Sequence, residues 1–315
     1  MEPNNFQAWL DMLTMSSEHT AKTYKKAILL FCREQQTTPE ALLNMKEELR
    51  NRLITYAKKK GPTLGTLTAS AVKSWLEFNG IYLPYRFRIK NIVRYRETVP
   101  TPEQIETLLL HTDLKTRAMV ALIAFSGLRP EVIGNAKGTD GLRLKDLPEL
   151  KIEGKNLGFT DETARIIVRE TLSKARHKYF TFLPKRGTNY ILAYLKTRKK
   201  LNENDPLIAA KDGDFLKTES ISKAIRRAMD RAGLEGFRPY DLRHYFATRM
   251  LLAEAGGVLP REYRVFWMGH KGDIEARYTL NKYTLPKELI LDMKLKFERA
   301  HELFFRSEDN ATKQA

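Results

Sequence analysis

Between residues 82 and 96 the helical spacing of this chain stops. The stretch runs Tyr82-Leu-Pro-Tyr-Arg86-Phe-Arg88-Ile-Lys90-Asn-Ile-Val-Arg94-Tyr-Arg96, with five cations, a proline and no apolar face at a 3.6-residue period. Just beyond it a helix starts afresh. Thr101 is placed as an N-cap, Pro102 takes the first helical position, and Gln104 completes a capping box. Such a connector divides 315 residues into two parts, each long enough for a core of its own. The expected organisation is a helical domain over residues 1–95, a linker over 96–100, a second domain over 101–297 and a C-terminal tail over 298–315.

The first part reads as all helix. Tyr24, Ala27, Ile28 and Phe31 share one helical face, and Lys22, Lys25 and Lys26 fall on the opposite one. Cys32, the one cysteine, lies in the same apolar run and is expected as a small buried hydrophobe. Thr38-Pro39-Glu40 predicts another helix start, and Val72, Trp75 and Leu76 mark a helix ending near Gly80. A second basic run, Lys58-Lys59-Lys60, lies between these helices.

The second part is mixed. Lys115 to Phe125 predicts a buried helix stopped at Gly127. Residues 164–170 and 179–183 are rich in β-branched and aromatic residues and predict two strands joined as a hairpin through the polar segment 171–178. Helices are expected over 185–200, 219–232, 238–253 and 261–268, the last ended by Gly269. Apolar residues at helical spacing return between Leu285 and Phe297. The fold class that follows is mainly α with a small antiparallel sheet: a helical domain followed by a mixed α+β one.

Charge narrows the partners. The formal net charge is +17, which calls for a polyanion, nucleic acid before an anionic membrane surface. The longest apolar run, Ala118 to Phe125, is far too short to span a bilayer, and the polar start Met1-Glu-Pro-Asn-Asn is not a signal peptide. One cysteine allows no internal disulfide, which suits a reducing cytoplasm. No phosphate-cradling glycine loop, dinucleotide fingerprint or zinc-ligand spacing is present.

Four short boxes carry chemistry. Ser126-Gly-Leu-Arg-Pro130 places Arg129 just past an apolar helix. Thr171-Leu-Ser-Lys174-Ala lies in the hairpin connection. Arg238-Pro-Tyr240-Asp-Leu-Arg243-His-Tyr-Phe-Ala-Thr248 opens a helix, and Trp267-Met-Gly-His270-Lys-Gly-Asp-Ile-Glu-Ala-Arg-Tyr278 follows a helix end. Two guanidinium groups can grip the non-bridging oxygens of one phosphate and stabilise the charge of a five-coordinate phosphorus. His270 can donate to the same phosphate, Lys174 can protonate a leaving 5′-oxygen, and Tyr278 can attack phosphorus. Each residue alone has an ordinary reading: surface arginine, packing tyrosine, solvated lysine. Their joint order sets them apart.

In that order the boxes resemble those of the tyrosine recombinase, or lambda-integrase, family, over about residues 101–297. The run from Trp267 to Tyr278 is most similar to integrases of archaeal viruses and plasmids. The resemblance implies a helical core-binding (SAM-like) domain, a catalytic tyrosine-recombinase domain, and a site of Arg129, Lys174, Tyr240, Arg243, His270 and the nucleophile Tyr278. It implies strand cleavage through a 3′-phosphotyrosine, with no metal and no cofactor. The implied partners are double-stranded DNA and further copies of the chain, two per site and four in a synapse, with no membrane partner. The protein would act in the host cytoplasm on the DNA of a mobile element. Lys22, Lys25, Lys26, Lys58, Lys59, Lys60, Arg86 and Arg88 are candidates for phosphate-backbone contacts.

The sequence departs from the family pattern in places. Tyr240 stands where histidine is usual. The usual acid three residues after the first arginine is replaced by Val132, which leaves Glu131 as a possible bracing acid. Lys178 rivals Lys174, and Tyr283 rivals Tyr278. A type IB topoisomerase-like enzyme and a catalytically weak or inactive DNA-binding accessory protein are the alternative functions.

Overall fold

The computed structural model describes residues 5–82, 99–153, 156–270 and 285–305. The chain divides into two compact units, Met1–Arg96 and Glu97–Ala315.

In the first unit α1 (Phe6–Ser16) and α2 (Glu18–Glu34) are followed by α3 (Lys46–Lys60) and α4 (Pro62–Phe78). Asn5 and Ser17 cap the first two through their side chains, which satisfies otherwise orphaned amides. α4 packs on α1, α2 and α3. Trp9, Ile28, Phe31, Leu53, Val72 and Trp75 form the core. The predicted α-helix after Pro39 is only a 3₁₀ turn, Ala41–Asn44. The cap position falls on Glu40 rather than Thr38, although the Thr38 hydroxyl accepts from Ala41 N at 3.3 Å, and the Pro39 carbonyl is taken by the Trp75 indole at 2.7 Å, which leaves no intrahelical role for it. Cys32 is buried, which pushes its thiol up to about 12 and keeps it an unreactive hydrophobe.

In the second unit α5 (Pro102–Leu110) starts with the Thr101–Gln104 capping box. α6 (Leu114–Ala124) is apolar on every side from Ala118 onward and is buried on every side over that stretch. α8 (Lys185–Leu195), α9 (Thr218–Arg231) and α10 (Asp241–Ala255) pack around it. α7 (Pro130–Ile133) is a single turn. Two antiparallel hairpins complete the unit: β1 (Leu150–Glu153) with β2 (Asn156–Phe159), and β3 (Ala164–Val168) with β4 (Tyr179–Leu183). The β3–β4 register runs from Ala164↔Leu183 to Val168↔Tyr179. α11 (Arg261–Trp267) packs on β4 and α10, and α12 (Lys287–Phe304) packs on α10. No helix among the described residues is long and apolar enough to cross a membrane.

Three differences from the sequence expectations have local causes. α8 stops at Leu195, five residues short, because its apolar face ends there and Arg198 turns to donate to the Pro206 carbonyl at 2.6 Å. β3 stops at Val168 because Arg169 is drawn into an ion-pair network and a 3₁₀ turn follows, Glu170–Leu172. Residues 298–304, expected as tail, continue α12, since Ala300, His301 and Phe305 bury against the core. The β1–β2 hairpin, with strands of four residues, has too short an alternation to be read from sequence.

Candidate active site

Two helix ends build the site. α6 ends in a left-handed glycine, Gly127 (φ 66°), with Gly127 N bonded to Ile123 O at 3.0 Å and Leu128 N to Leu122 O at 3.4 Å. α11 ends the same way at Gly269 (φ 57°), with His270 N bonded to Val265 O at 3.3 Å. Each glycine also lies where a side chain has no room. A Cβ on Gly127 would stand 2.3 Å from the Phe246 ring, and one on Gly269 would stand 2.4 Å from the Tyr179 ring. Arg129 follows the first turn by two residues and precedes Pro130, the first residue of α7. His270 follows the second directly.

Arg243, in the first turn of α10, joins the two ends. It is 1% exposed, an unusual burial for a guanidinium. One terminal nitrogen donates to the Gly127 carbonyl and the other to the Met268 carbonyl at 2.6 Å. The second also lies 3.3 Å from His270 Nε2. Arginine only donates, so Nε2 must be the acceptor, and His270 is neutral with its proton on Nδ1. Burial lowers the His270 pKa, and the charges of Arg243, Arg129 and Arg264 lower it further. Burial and the Arg129 charge lower the pKa of Arg243 too, while Tyr179 and Tyr240 oppose the shift. The two arginines are thus electrostatic neighbours. Arg243 Nε and Arg129 Nη1 are buried without a hydrogen-bond partner.

Tyr240 is partly exposed beside Arg243, its ring edge-on to His244 at 5.0 Å. Glu131 does not brace the site. It is exposed on α7 and makes no hydrogen bond or ion pair with either arginine among the described residues, while Val132 is buried in the core. Backbone carbonyls hold Arg243 instead. Lys174 and Lys178 are both exposed, one inside and one at the end of the β3–β4 connection. Tyr278 and Tyr283 lie outside the described residues, as do Arg86 and Arg88.

Two features were missed from sequence. Tyr179, at the start of β4, is buried against both arginines. The stem of the Lys174 connection is held by Arg169, which donates to both carboxylate oxygens of Asp140 (3.1 and 2.9 Å), to Gly141 O (2.6 Å) and to Asp146 (3.3 Å). Burial alone would raise the Asp140 pKa, yet hydrogen bonds from Arg169 and Gly141 hold it below the ordinary carboxylate value. The Arg169 carbonyl in turn accepts from Leu172 N and Ser173 N, directly before Lys174.

Of the basic candidates in the first unit, Lys22 pairs with Glu18 at 2.9 Å, and Lys60 and Lys59 face Glu34 at 2.6 and 3.9 Å. Lys25, Lys26 and Lys58 are exposed with no ion pair among the described residues. Among those residues no group of three His, Cys, Asp or Glu is placed to hold a metal ion.

Residues 99–257, just over half of the chain, match the phage integrase family. The chain belongs to that family. It is 35% identical over 117 residues to tyrosine recombinase XerC of Lactobacillus delbrueckii subsp. bulgaricus, a match covering 35% of this chain and 37% of that protein. It thus spans little more than a third of the length of that relative. A XerC of a Shewanella species is 25% identical over 264 residues, covering 79% of this chain and 81% of the relative. Among solved structures, a lambda integrase dimer bound to a COC′ core site superimposes with TM-score 0.57 at 16% identity, over 89% of this chain and 99% of that one. The XerH site-specific recombinase bound to its difH substrate gives 0.54 at 18%, over 86% and 78%. These two likenesses establish a shared fold, mostly helical with small antiparallel sheets.

Proposed function

We propose that this protein is a site-specific tyrosine recombinase that cuts and rejoins double-stranded DNA. The observation that carries the reading is a pair of neighbouring guanidinium groups, Arg129 and Arg243, beside neutral His270, with a buried unpartnered nitrogen on each arginine. Among the described residues, the groups that act most on Arg243 are Arg129, Tyr179 and Tyr240. Buried donors without acceptors call for an anion, and a phosphodiester supplies one. The net charge of +17 suits the same polymer.

In this reading the scissile phosphate sits on Arg129 and Arg243, and His270 Nδ1–H donates to it. The phenolic oxygen of Tyr278 bonds to phosphorus, the bond to the 5′-oxygen breaks, and Lys174 delivers a proton to that oxygen. The phenolic proton leaves to solvent. The 3′-phosphotyrosine keeps the energy of the phosphodiester for rejoining. The protein acts on the DNA of a mobile element, as an integrase similar to those of archaeal viruses and plasmids. Copies of the chain assemble on DNA as a tetrameric synapse within the cytoplasm. Lys25, Lys26 and Lys58 contact the backbone without reading bases.

The test is covalent capture on a nicked duplex carrying the element's attachment site, with EDTA present. Wild type should leave a protease-sensitive protein–DNA adduct that Tyr278→Phe does not form and Tyr283→Phe does. Tight binding by wild type without any adduct would favour a DNA-binding accessory protein, a reading that Tyr240 in place of histidine already motivates.

A further inference from the structure

Tyr179 belongs to none of the sequence boxes, yet both arginines act on it. It opens β4 opposite Val168 and is 2% exposed. Its ring fills the space left by the missing side chain of Gly269, where a Cβ would stand 2.9 Å from its oxygen. The hydroxyl is buried against the Arg243 guanidinium, which faces its oxygen, and its own proton has no acceptor among the described residues. Leaving such a group unpaired is unfavourable, and phenylalanine would fill nearly the same volume without it.

Other buried tyrosines differ in their electrostatic surroundings. Tyr56 has Glu34 nearby, and Tyr245 has Glu106 and Glu103. Among the described residues, the charged groups that act on Tyr179 are Arg243 and Arg129. The Tyr179 hydroxyl proton and Arg129 Nη1 are therefore buried donors with no acceptor among the described residues, beside the Arg243 guanidinium. Two adjacent cations would ordinarily acidify a phenol. Burial outweighs them and raises the pKa, so Tyr179 keeps its proton and remains a donor. A protonated, strand-held, buried phenol is poorly suited to be a nucleophile.

We infer that Tyr179 is a further catalytic residue: its hydroxyl donates a hydrogen bond to a non-bridging oxygen of the phosphate held by Arg129 and Arg243. The inference rests on the proposed phosphodiester cleavage at this site.

The experiment compares full-length wild type with Tyr179→Phe in single-turnover cleavage of the nicked attachment-site duplex. Three scissile linkages are used: the natural phosphodiester and the two phosphorothioate diastereomers, each replacing one non-bridging oxygen with sulfur, a poor acceptor. On the phosphodiester, Tyr179→Phe should form the adduct about 10- to 100-fold more slowly, the worth of one hydrogen bond to a charged group. On one diastereomer that difference should shrink to about twofold or less. On the other it should persist. Thermal stability of the variant should equal or exceed that of wild type. Equal rates on the phosphodiester would overturn the inference while leaving the recombinase reading intact. The same slowing with both diastereomers would overturn it in favour of a packing role. Absence of any cleavage by wild type would overturn the site reading and this inference together.

Discussion

Substituting alanine for Gly127 tests the joint that carries both arginines. The backbone there sits at φ 66°, which costs a side-chain-bearing residue about 1–2 kcal/mol. The added Cβ would lie 2.3 Å from Phe246 Cδ1. That ring has little room to yield, because Phe297, His301 and Phe305 surround it with ring centroids at 6.3, 6.4 and 6.0 Å. Overpacking of this kind costs about 1–3 kcal/mol. The two contributions together give a destabilisation of about 2–5 kcal/mol for Gly127→Ala. Urea unfolding of the full chain, followed by circular dichroism, measures it. The same substitution in a Phe246→Leu background separates the contributions: the clash should relax and only the backbone cost of about 1–2 kcal/mol should remain. A loss below about 0.5 kcal/mol in wild type would refute the close approach. An equal loss in both backgrounds would refute the role of Phe246. The Gly127 carbonyl also accepts from Arg243, so the variant should cleave DNA more slowly than its stability alone explains.

Three further outcomes follow from the geometry. His301 is enclosed by Phe297, Phe305 and Phe246, and burial drives its pKa from 6.5 to about 3. The unfolded chain therefore binds a proton that the folded chain refuses between those values, and stability should fall by about 1.4 kcal/mol per pH unit below pH 6.5 from this group. His301→Leu should flatten the slope of unfolding free energy against pH between 6 and 4 by about one proton, and an unchanged slope would contradict the burial argument. Lys174→Ala should slow cleavage of an oxygen-linked substrate but not of a 5′-bridging phosphorothiolate, whose sulfur leaves without a proton; rescue of Lys178→Ala in its place would transfer the acid to Lys178. Asp140→Asn removes the two-oxygen contact to Arg169 and should cost about 1–3 kcal/mol in urea unfolding, together with faster hydrogen exchange at Leu172 and Ser173.

Much of the fold was legible because its signals are local. The Thr101 capping box, the uniformly apolar 118–124 run and the glycines at 127 and 269 each act within a turn or two of chain. The arginine and histidine boxes were legible by resemblance, and the structure brings Arg129, Tyr240, Arg243 and His270 together. What stayed hidden depends on distant partners. Asp140 and Arg169 are 29 residues apart, and neither has a neighbour in sequence that betrays the pair. Tyr179 reads as ordinary strand filling, since aromatic residues suit a pleated surface and only the fold reveals what faces its hydroxyl. His301 sits in Glu298-Arg-Ala-His-Glu302, a polar run whose buried side emerges only when α12 docks. Glu131 shows the reverse error: adjacency to Arg129 in sequence placed an acid near the site, and helix α7 turns it to solvent.

The account turns on a tyrosine-linked phosphate at an arginine pair, and mapping the linked residue tests that most directly. The wild-type adduct formed on the nicked substrate in EDTA would be digested with nuclease and trypsin, and the nucleotide-bearing peptide sequenced by tandem mass spectrometry. The prediction is a single modified residue, Tyr278. A nucleotide on Tyr179, or on serine, or no modified peptide despite full strand cleavage, would contradict it.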